Sequence, residues 1–427
     1  MSTSDGTVDE HAPVVVAARR TPIGRLGGAL RTVRAEHLAA PVLRAVLEDA
    51  GLDASEVDDV ILGNAAGPGG NPARLAALAA GMGVERCGLT VDRQCGSGLE
   101  AVNLAASLVR AGAGEVYLAG GVESASTAPW RLERPASLYA APRVSGRARF
   151  SPDTLGDPDM GEAAETVARR HGISRERQDR YAAASHSKAA LAAAEGRFDA
   201  ELVPVTGSTF RPGPKRPGGS GSALLVADES PRPRLTAETL ARMPAAFAEG
   251  GTVTAGNSCP VNDGAAVVAV VSERVRRRLG LPGLRIVDST VAGVHPSVLG
   301  TGPIPAVRAL LVRNPDVQLA DIDVIEFNEA FASQVLACLD ALAMDAARVN
   351  PDGGALALGH PWGAAGAVLV VRLFTQLVRC PPVPPGSAIP AMAAPPSGHD
   401  GRERPRLGLA TLGIAGGMGL ATLVEAV

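Results

Sequence analysis

Asp59-Val60-Ile61-Leu62-Gly63-Asn64 returns 264 residues later as Asp323-Val324-Ile325-Glu326-Phe327-Asn328. Each copy is an acidic residue, a short apolar run and a closing Gly or Phe before asparagine, the pattern of a buried strand running into a loop. A chain of 427 residues is too long for one ordinary core, and a repeat at this distance divides it into two homologous halves. The same offset carries Cys95 to within one residue of His360. Both stand just before helical runs: Leu99, Val102, Ala106 and Val109 fall three or four apart after Gly96, and Ala364 to Val378 is apolar throughout. A pseudo-twofold axis would set Cys95 and His360 at helix starts that face one another.

Short β-rich runs from Val14, Asp58, Val116, Ala265 and Arg285 alternate with Ala/Leu/Arg-rich helical stretches, which is an α/β pattern. The expected division is a first half over 13–125 plus 248–275, a loop-domain insertion over 126–247 and a second half over 276–427. The insertion should carry one helix from Gly161 to Gly196 and a Pro/Gly/Arg-rich stretch from Arg211 to Gly221. Residues 380–405, CPPVPPGSAIPAMAAPPSGHDGRERP, have the composition of a mobile surface loop, and residues 1–12 that of a frayed tail.

With 41 basic and 44 acidic residues and 3% aromatics, no basic stretch interleaves with aromatic residues, so nucleic acid is not an expected partner. Five cysteines without a CxxC or matching histidine spacing argue against a disulfide framework or a metal site and for a reducing compartment, the cytoplasm. No apolar run reaches membrane-spanning length, and the acidic, polar start lacks the basic and apolar regions of a signal peptide.

Cys95 lies in VDRQCGSGLEAV after a strand-like LTV, at the positive end of the following helix. A thiolate there would meet free backbone N–H groups; lowering a thiol pKa from about 8.5 towards 7 takes roughly 2 kcal/mol, within reach of such a site with an imidazole nearby. A small buried thiol that packs like alanine is the competing reading of the segment alone. His360 by itself reads equally as structural or catalytic, and Asn328 as a turn residue.

Around these residues AARRTPIGRLGGAL from Ala17, GNAAGPGGNPARLAALAAG from Gly63, GGVESAS from Gly120, GGTVTAGNSCPVNDGAA from Gly250, NEAFASQ from Asn328 and GGALALGHPWGAAGA from Gly353 follow in order. With these motifs nearly the whole chain resembles the thiolases, the acyl-CoA acyltransferase family. The resemblance implies an α/β thiolase fold, two pseudo-symmetric halves in an α-β-α-β-α core with a loop-domain insertion in the first. It implies that Cys95 is the acylated nucleophile, His360 the base that takes its proton, and Asn328 the holder of a water that joins His360 in stabilising a thioester enolate. The N–H groups of Cys95 and Ala415 would form a second oxyanion site. Ser258 and Cys259 would line the channel for the pantetheine arm, and Cys87 and Cys338 would be core. Acyl-CoA or an acyl-carrier thioester is the implied substrate, with no bound cofactor or metal, in a homodimer or homotetramer.

One departure bears on the chemistry. The family's C-terminal turn carries a second cysteine that moves the α-proton; here the stretch is GIAGGMG, and Gly413 stands in its place. A positioned acid-base group contributes about 10²- to 10⁴-fold in rate, so ordinary thiolysis should be severely impaired. Ala365 and Val368 also stand where serine and arginine are usual. Three functions stay open: carbon–carbon bond formation or cleavage of an atypical kind through S-acyl-Cys95; acyl transfer to a heteroatom acceptor or decarboxylative condensation; and a non-catalytic partner or scaffold.

Overall fold

The computed structural model describes residues 9–135, 137–206, 223–379 and 406–427. Its centre is a ten-stranded mixed sheet. The first half contributes β1 (Pro13–Arg20), β2 (Asp59–Gly63), β3 (Leu89–Val91), β4 (Val116–Ser124) and β5 (Asn262–Ser272); the second contributes β6 (Leu284–Gly293), β7 (Val324–Phe327), β8 (Leu407–Ile414) and β9 (Met418–Ala426). The order is β3-β2-β4-β5-β1-β6-β9-β8-β7, and the two-residue strand Gly24–Arg25 pairs with β5 off this path. Within the sheet, among the described residues, the halves join where Val14 pairs with Arg285 and Val15 with Leu284. Read outward from that seam the two sides are the same: β1-β5-β4-β2 matches β6-β9-β8-β7, and Val349, bridged to Ile325, stands where β3 stands. The two copies of the DVI motif therefore occupy equivalent strands.

The sheet is folded into layers by helices. On the outside of the first half lie α1 (Ala35–Ala50) and α2 (Pro72–Ala79), packed on the Val14, Val60, Leu118 and Val267 faces of the strands. Between the halves lie α3 (Ser97–Arg110) and, near the C-terminus, the helix Trp362–Phe374, sharing one core with Ala266, Val268 and Ile286 and with Leu412 and Ile414. Outside the second half, Pro303–Arg313 and Ala332–Leu342 cover Phe327, Leu409 and Leu423. This is the expected five-layer α-β-α-β-α arrangement. The stripe Leu99, Val102, Ala106 and Val109 is fully enclosed, as an amphipathic helix sandwiched between sheets requires.

Between Ser124 and Asn262 the chain leaves the sheet. The helix expected from Gly161 to Gly196 is two, α4 (Met160–His171) and α5 (Arg175–Ala194). Gly172, at φ 63°, ends the first and the Ser174 side chain caps the second by accepting from Arg177 N–H. Short helices Ala237–Leu240, Glu273–Leu279 and Ala355–Leu358 apart, the later helices are labelled α6 (Pro303–Arg313), α7 (Ala332–Leu342) and α8 (Trp362–Phe374). Residues 9–12 are not a loose tail: Glu273 N–H donates to Ala12 O and Arg274 N–H to Glu10 O, tying them to the helix after β5. The stretches Arg211–Gly221 and 380–405 lie outside the described residues. Cys338 is core, but Cys87 is exposed, because its segment runs over the surface between α2 and β3.

The two central helices touch through glycine. A Cβ on Gly98 would stand 2.7 Å from Gly363 O, one on Gly366 2.6 Å from Leu99 N, and one on Gly121 2.0 Å from Gly363 O. Gly413 differs, since the nearest atom to a Cβ there is Gly300 O at 3.3 Å and its φ is not in the left-handed range. Gly366→Ala should therefore destabilise by about 1–3 kcal/mol through overpacking, and Gly413→Ala by less than about 1 kcal/mol; equal urea midpoints for the two variants would refute the crossing as the tight point.

Candidate active site

The Cys95 turn is built under tension. Strand β3 ends at Val91, and Gln94 takes a left-handed conformation, φ 49°, before the helix begins, a state that costs a non-glycine residue about 1–2 kcal/mol. Local bonds hold it: Gln94 N–H donates to Asp92 Oδ1 at 2.8 Å, and Ser97 Oγ donates to Gln94 O at 2.5 Å. Gly96 fits because a Cβ would stand 2.5 Å from Ile414 Cδ1 at the end of β8. That close approach brings the Ala415 N–H onto the Cys95 sulfur, joined by the N–H of Cys95 itself.

His360 is placed by its backbone. Its N–H donates to Asn262 Oδ1 at 2.9 Å, and Asn262 Nδ2 donates to Gly24 O and Ser230 Oγ at 2.8 and 3.1 Å. Gly359, at φ 114°, lets the chain pass Asn262, which a Cβ would strike at 2.6 Å. The imidazole is 3% exposed and neither ring nitrogen has a hydrogen-bond partner among the described residues. Two residues beyond each of Cys95 and His360, α3 and α8 begin, and these helices cross at Gly98 and Gly363. The facing helix starts read from the repeat are thus present.

Asn328 follows β7, its N–H donating to Thr411 O at 3.0 Å; it is 2% exposed and its Nδ2 has no partner among the described residues. The Ser258–Cys259 segment is zipped onto the same loop. Cys259 N–H donates to Ala330 O and Ala332 N–H to Asn257 O, both at 3.0 Å, and Ser258 pairs with Phe331. Ser258 Oγ is committed to Thr254 O at 2.7 Å. Cys259 lies close enough to Cys95 for their charges to interact, and burial first, then Cys95, push its thiol up. Gly413, two residues before Ala415, faces Gly300 and the amide of Gln334, whose Nε2 is 3.5 Å from where a Cβ would stand.

Electrostatics differ from the sequence expectation. Burial pushes the Cys95 thiol up to about 12, with the Ala415 and Cys95 N–H groups pulling the other way and Glu123 and Asp92 adding to the rise. Burial also pushes His360 down to about 4. The free site is a neutral thiol and a neutral imidazole rather than a stabilised thiolate, because two N–H dipoles do not offset the loss of water around sulfur. Among the described residues no group of three His, Cys, Asp or Glu side chains could hold a metal ion. No helix among them is long and apolar enough to cross a membrane.

Four positioning residues escaped the sequence reading. Glu123 accepts from Asn64 Nδ2, Ala65 N–H, Ala66 N–H and Gly363 N–H at 3.0–3.2 Å, joining the start of α8 to the loop after β2, and burial pushes it up to about 7 against those N–H groups. Glu329 gathers Tyr181, Ser185, Asn350 and Leu356 N–H at 2.7–3.1 Å, fastening the Asn328 loop to α5. Asn262 holds His360, and Gln334 lines the space beside Gly413. All four stand inside quoted motifs, Glu123 in GGVESAS, Glu329 and Gln334 in NEAFASQ and Asn262 in the segment from Gly250, but only the tertiary contacts reveal their work. A separate cavity of about 520 Å³ abuts the same turns; it is lined by Gln94, Arg149, Phe150, Ala415 and Met418 among others and includes none of Cys95, His360 and Asn328.

Fold and site together define a class: a doubled α/β protein that offers a thiol and a neutral imidazole from crossing central helices. The chain belongs to the thiolase family and is an acyltransferase. Residues 13–274 match the thiolase N-terminal domain and residues 282–381 the thiolase C-terminal domain. A putative acetyl-CoA C-acetyltransferase VraB of Staphylococcus epidermidis is 42% identical over 418 residues, 97% of this chain and 98% of that protein. The Staphylococcus aureus (strain MRSA252) protein of the same name is 43% identical over 364 residues, 84% and 92% of the two chains. The crystal structure of the Bacillus anthracis acetyl-CoA acetyltransferase matches with a TM-score of 0.83 at 38% identity, covering 98% of this chain and all of that one.

A part-buried thiol pushed up to about 12 should alkylate slowly. In the ligand-free protein the rate of Cys95 modification by iodoacetamide should keep rising about tenfold per pH unit from pH 7 to pH 10; a plateau near pH 8 would mean a thiolate-stabilising site.

Proposed function

We propose that this thiolase-family acyltransferase works through an S-acyl-Cys95 intermediate drawn from acyl-CoA, with acetyl-CoA as a first candidate given the names of its relatives. His360 takes the Cys95 proton and passes it to the departing CoA thiolate, so the step balances without a metal or cofactor. The observation that carries the reading is the buried His360 ring with both nitrogens unpartnered, at the start of a helix that crosses the Cys95 helix. An imidazole so placed is neutral and free to accept a proton at neutral pH. The N–H groups of Cys95 and Ala415, aimed at the sulfur, are suited to the oxyanion of the acyl-transfer intermediate. Asn328 Nδ2 is a free donor for the thioester oxygen, directly or through water, and the Ser258–Cys259 segment forms a wall for the pantetheine arm.

The absent acid-base group at Gly413 favours a second reading of the half-reaction that follows. The acyl group goes to a heteroatom, or to a carbon nucleophile made without a base, rather than through reversible thiolysis. A scaffold role is disfavoured because a site kept only for packing would not hold three buried unpartnered polar side chains. We further propose that copies assemble as a dimer or tetramer in a reducing compartment, supported by the exposure of Trp130, Leu138 and Tyr139, at 89%, 96% and 99%, around the antiparallel strands Arg131–Glu133 and Arg143–Ser145.

Incubation with acetyl-CoA should add one acetyl mass to the intact protein, Cys95→Ala should abolish it, and His360→Ala should slow loading about 10²-fold or more. Between pH 5 and 7 wild-type loading should stay level, since an imidazole pushed down to about 4 remains neutral there; a fall centred on pH 6.5 would contradict the proposed site. Asn328→Ala should spare loading relative to any condensation.

Gly413 gives a gain-of-function test. The position has ordinary strand geometry and near-contact clearance for a Cβ, so Gly413→Cys should fold and raise acetoacetyl-CoA thiolysis above a near-absent wild-type level. Robust thiolysis by the unmodified enzyme, absent in Cys95→Ala, would show that another group moves the α-proton.

A further inference from the structure

Glu326 is a buried carboxyl with too few donors for a charge. It lies in β7, two residues before Asn328, and is 2% exposed. Among the described residues its side chain takes one hydrogen bond, from Gln376 Nε2 at 2.9 Å, and no ion pair. Its neighbours are better supplied. Glu201 accepts from Arg20 Nε, Arg372 Nη1 and Thr375 Oγ1, and Asp352 from Arg197 Nη1, Arg372 Nη2 and Gln376 Nε2. Arg372 thus spends both terminal nitrogens elsewhere, and its Nε bonds neither Glu326 nor any other described group. Gln376 shows the complementary fault: its Oε1 is enclosed without a partner, while its Nε2 bridges Glu326 and Asp352, both at 2.9 Å. Turning the amide over would set its oxygen against Asp352, whose carboxyl Arg372, Gln376 and Arg197 hold below the usual range against the effect of burial.

We propose that Glu326 is a neutral carboxylic acid in the folded protein, that it donates its proton to Gln376 Oε1, and that this acid–amide pair keeps the Asn328 strand in register with the His360 helix. One proton then meets both needs. The Gln376 N–H donates to one carboxyl oxygen, and the carboxyl O–H donates back to the amide oxygen. The pair joins the elements that carry the site: Gln376 stands in the turn Thr375–Arg379 that continues α8, and Glu326 in the strand that ends just before Asn328. Asp352 adds the neighbouring turn, where Asn350 N–H donates to Ile325 O at 2.9 Å. Glu326 would be a positioning residue, acting on the reaction only through Asn328 and His360.

The charged and titratable groups facing Glu326 are Arg372 from α8, Asp352 from the Asn350 turn, Glu201 from the insertion and Tyr181 from α5. Arg197 stands behind Asp352, and Arg20 behind Glu201. Burial, opposed by Arg372 and the Gln376 bond and aided by Asp352 and Glu201, pushes the Glu326 carboxyl up to about 8. Ionisation above that pH removes the donor that Gln376 Oε1 needs and sets a third negative charge beside Asp352 and Glu201, which drives β7 and the end of α8 apart. A carboxyl that holds its proton more tightly folded than unfolded makes stability fall as pH rises from its ordinary value, 4.5, to its raised value, about 8, with no further slope beyond. Glu326→Gln cannot ionise, and its amide reproduces both hydrogen bonds of the neutral acid with N–H in place of O–H.

The test compares the full-length wild type with Glu326→Gln in three ways: urea unfolding across the acid-to-neutral range, infrared difference spectra, and Cys95 loading from acetyl-CoA up to alkaline pH. The unfolding constant of wild type relative to the variant should rise about tenfold per pH unit between the two values of the carboxyl, the slope of one proton. Wild type at neutral pH should show the carbonyl band of a protonated carboxyl that the variant lacks. Its loading rate relative to the variant should stay level to about pH 7 and fall about tenfold by about pH 9, one unit past the midpoint. The loading arm rests on the acyl-enzyme reading; failure of both proteins to load would overturn that reading, while unfolding and infrared still decide the proton. A flat ratio of unfolding constants without the carboxylic-acid band would overturn the inference, as would a variant that is much less stable at neutral pH or does not fold, since that would mark an ionised Glu326. A protonated carboxyl with a level loading ratio to about pH 9 would remove the positioning role.

Discussion

Everything at this site depends on the contact between α3 and α8. Helices normally stand 8–10 Å apart, separated by side chains; here Gly98, Gly363 and Gly366 remove the side chains at the crossing, and Gly63 and Gly121 do the same where the helices press on β2 and β4. A Cβ on Gly63 would be 2.4 Å from Ser97 C. Because both helices are pinned at their first turns, the residues just before them cannot drift apart. Cys95 and His360 are those residues. The placement of these two residues is thus a by-product of packing, held by backbone and not by any bond between the two side chains.

Such packing leaves little room for water, and the buried polar groups explain how the protein tolerates that. Glu123 satisfies the first N–H of α8 and the loop after β2; Glu329 satisfies four donors from α5, the Asn350 turn and the short helix before His360. Further out, Arg20 on β1 and Arg372 on α8 share Glu201 of the insertion, and both guanidinium groups lie over the Phe198 ring at 5.4 and 4.7 Å. Burial alone would push Glu201 up, but Arg372 and Arg20 hold its carboxylate below the usual range. Buried ion pairs add little net stability compared with apolar packing and lose much when one partner is removed. Their effect here is registry, since the insertion carrying Glu201 can dock on the two halves in only one way.

Not every buried polar group is met, and among the described residues atoms of Asn103, Gln178, Arg372 and Gln376 also go without a partner, as do some near the Cys95 turn. His360, Asn328 and Gln334 are almost fully enclosed and each has a polar atom without a partner. A fold that meets the needs of Glu123, Glu201, Glu329 and Asn262 could meet these as well, and a buried donor left idle is costly. These three side chains lie in the Asn328 loop, just before α8 and in the first turn of α7.

Local pattern was enough to read much of this from the sequence. The runs from Val14, Asp58, Val116 and Arg285 are strands because apolar residues at that density leave no polar face, and the Leu99 stripe is a helix because its period is that of one buried face. The repeat at Asp59 and Asp323 carried the pseudo-twofold, since equivalent strands in equivalent halves need the same buried pattern. The boundary between α4 and α5 was missed, although Gly172 and Ser174 are ordinary stop and start signals, because the alanine-rich run on both sides masked them. What only the tertiary structure decided are quantities that belong to no segment: that the glycines of two helices 265 residues apart interlock, that burial outweighs two N–H groups at Cys95, and that the amide of Gln334 faces Gly413. Sequence pattern reports which face of an element avoids water. Which other element removes that water, and which polar atom then goes without a partner, is settled only when distant parts of the chain meet.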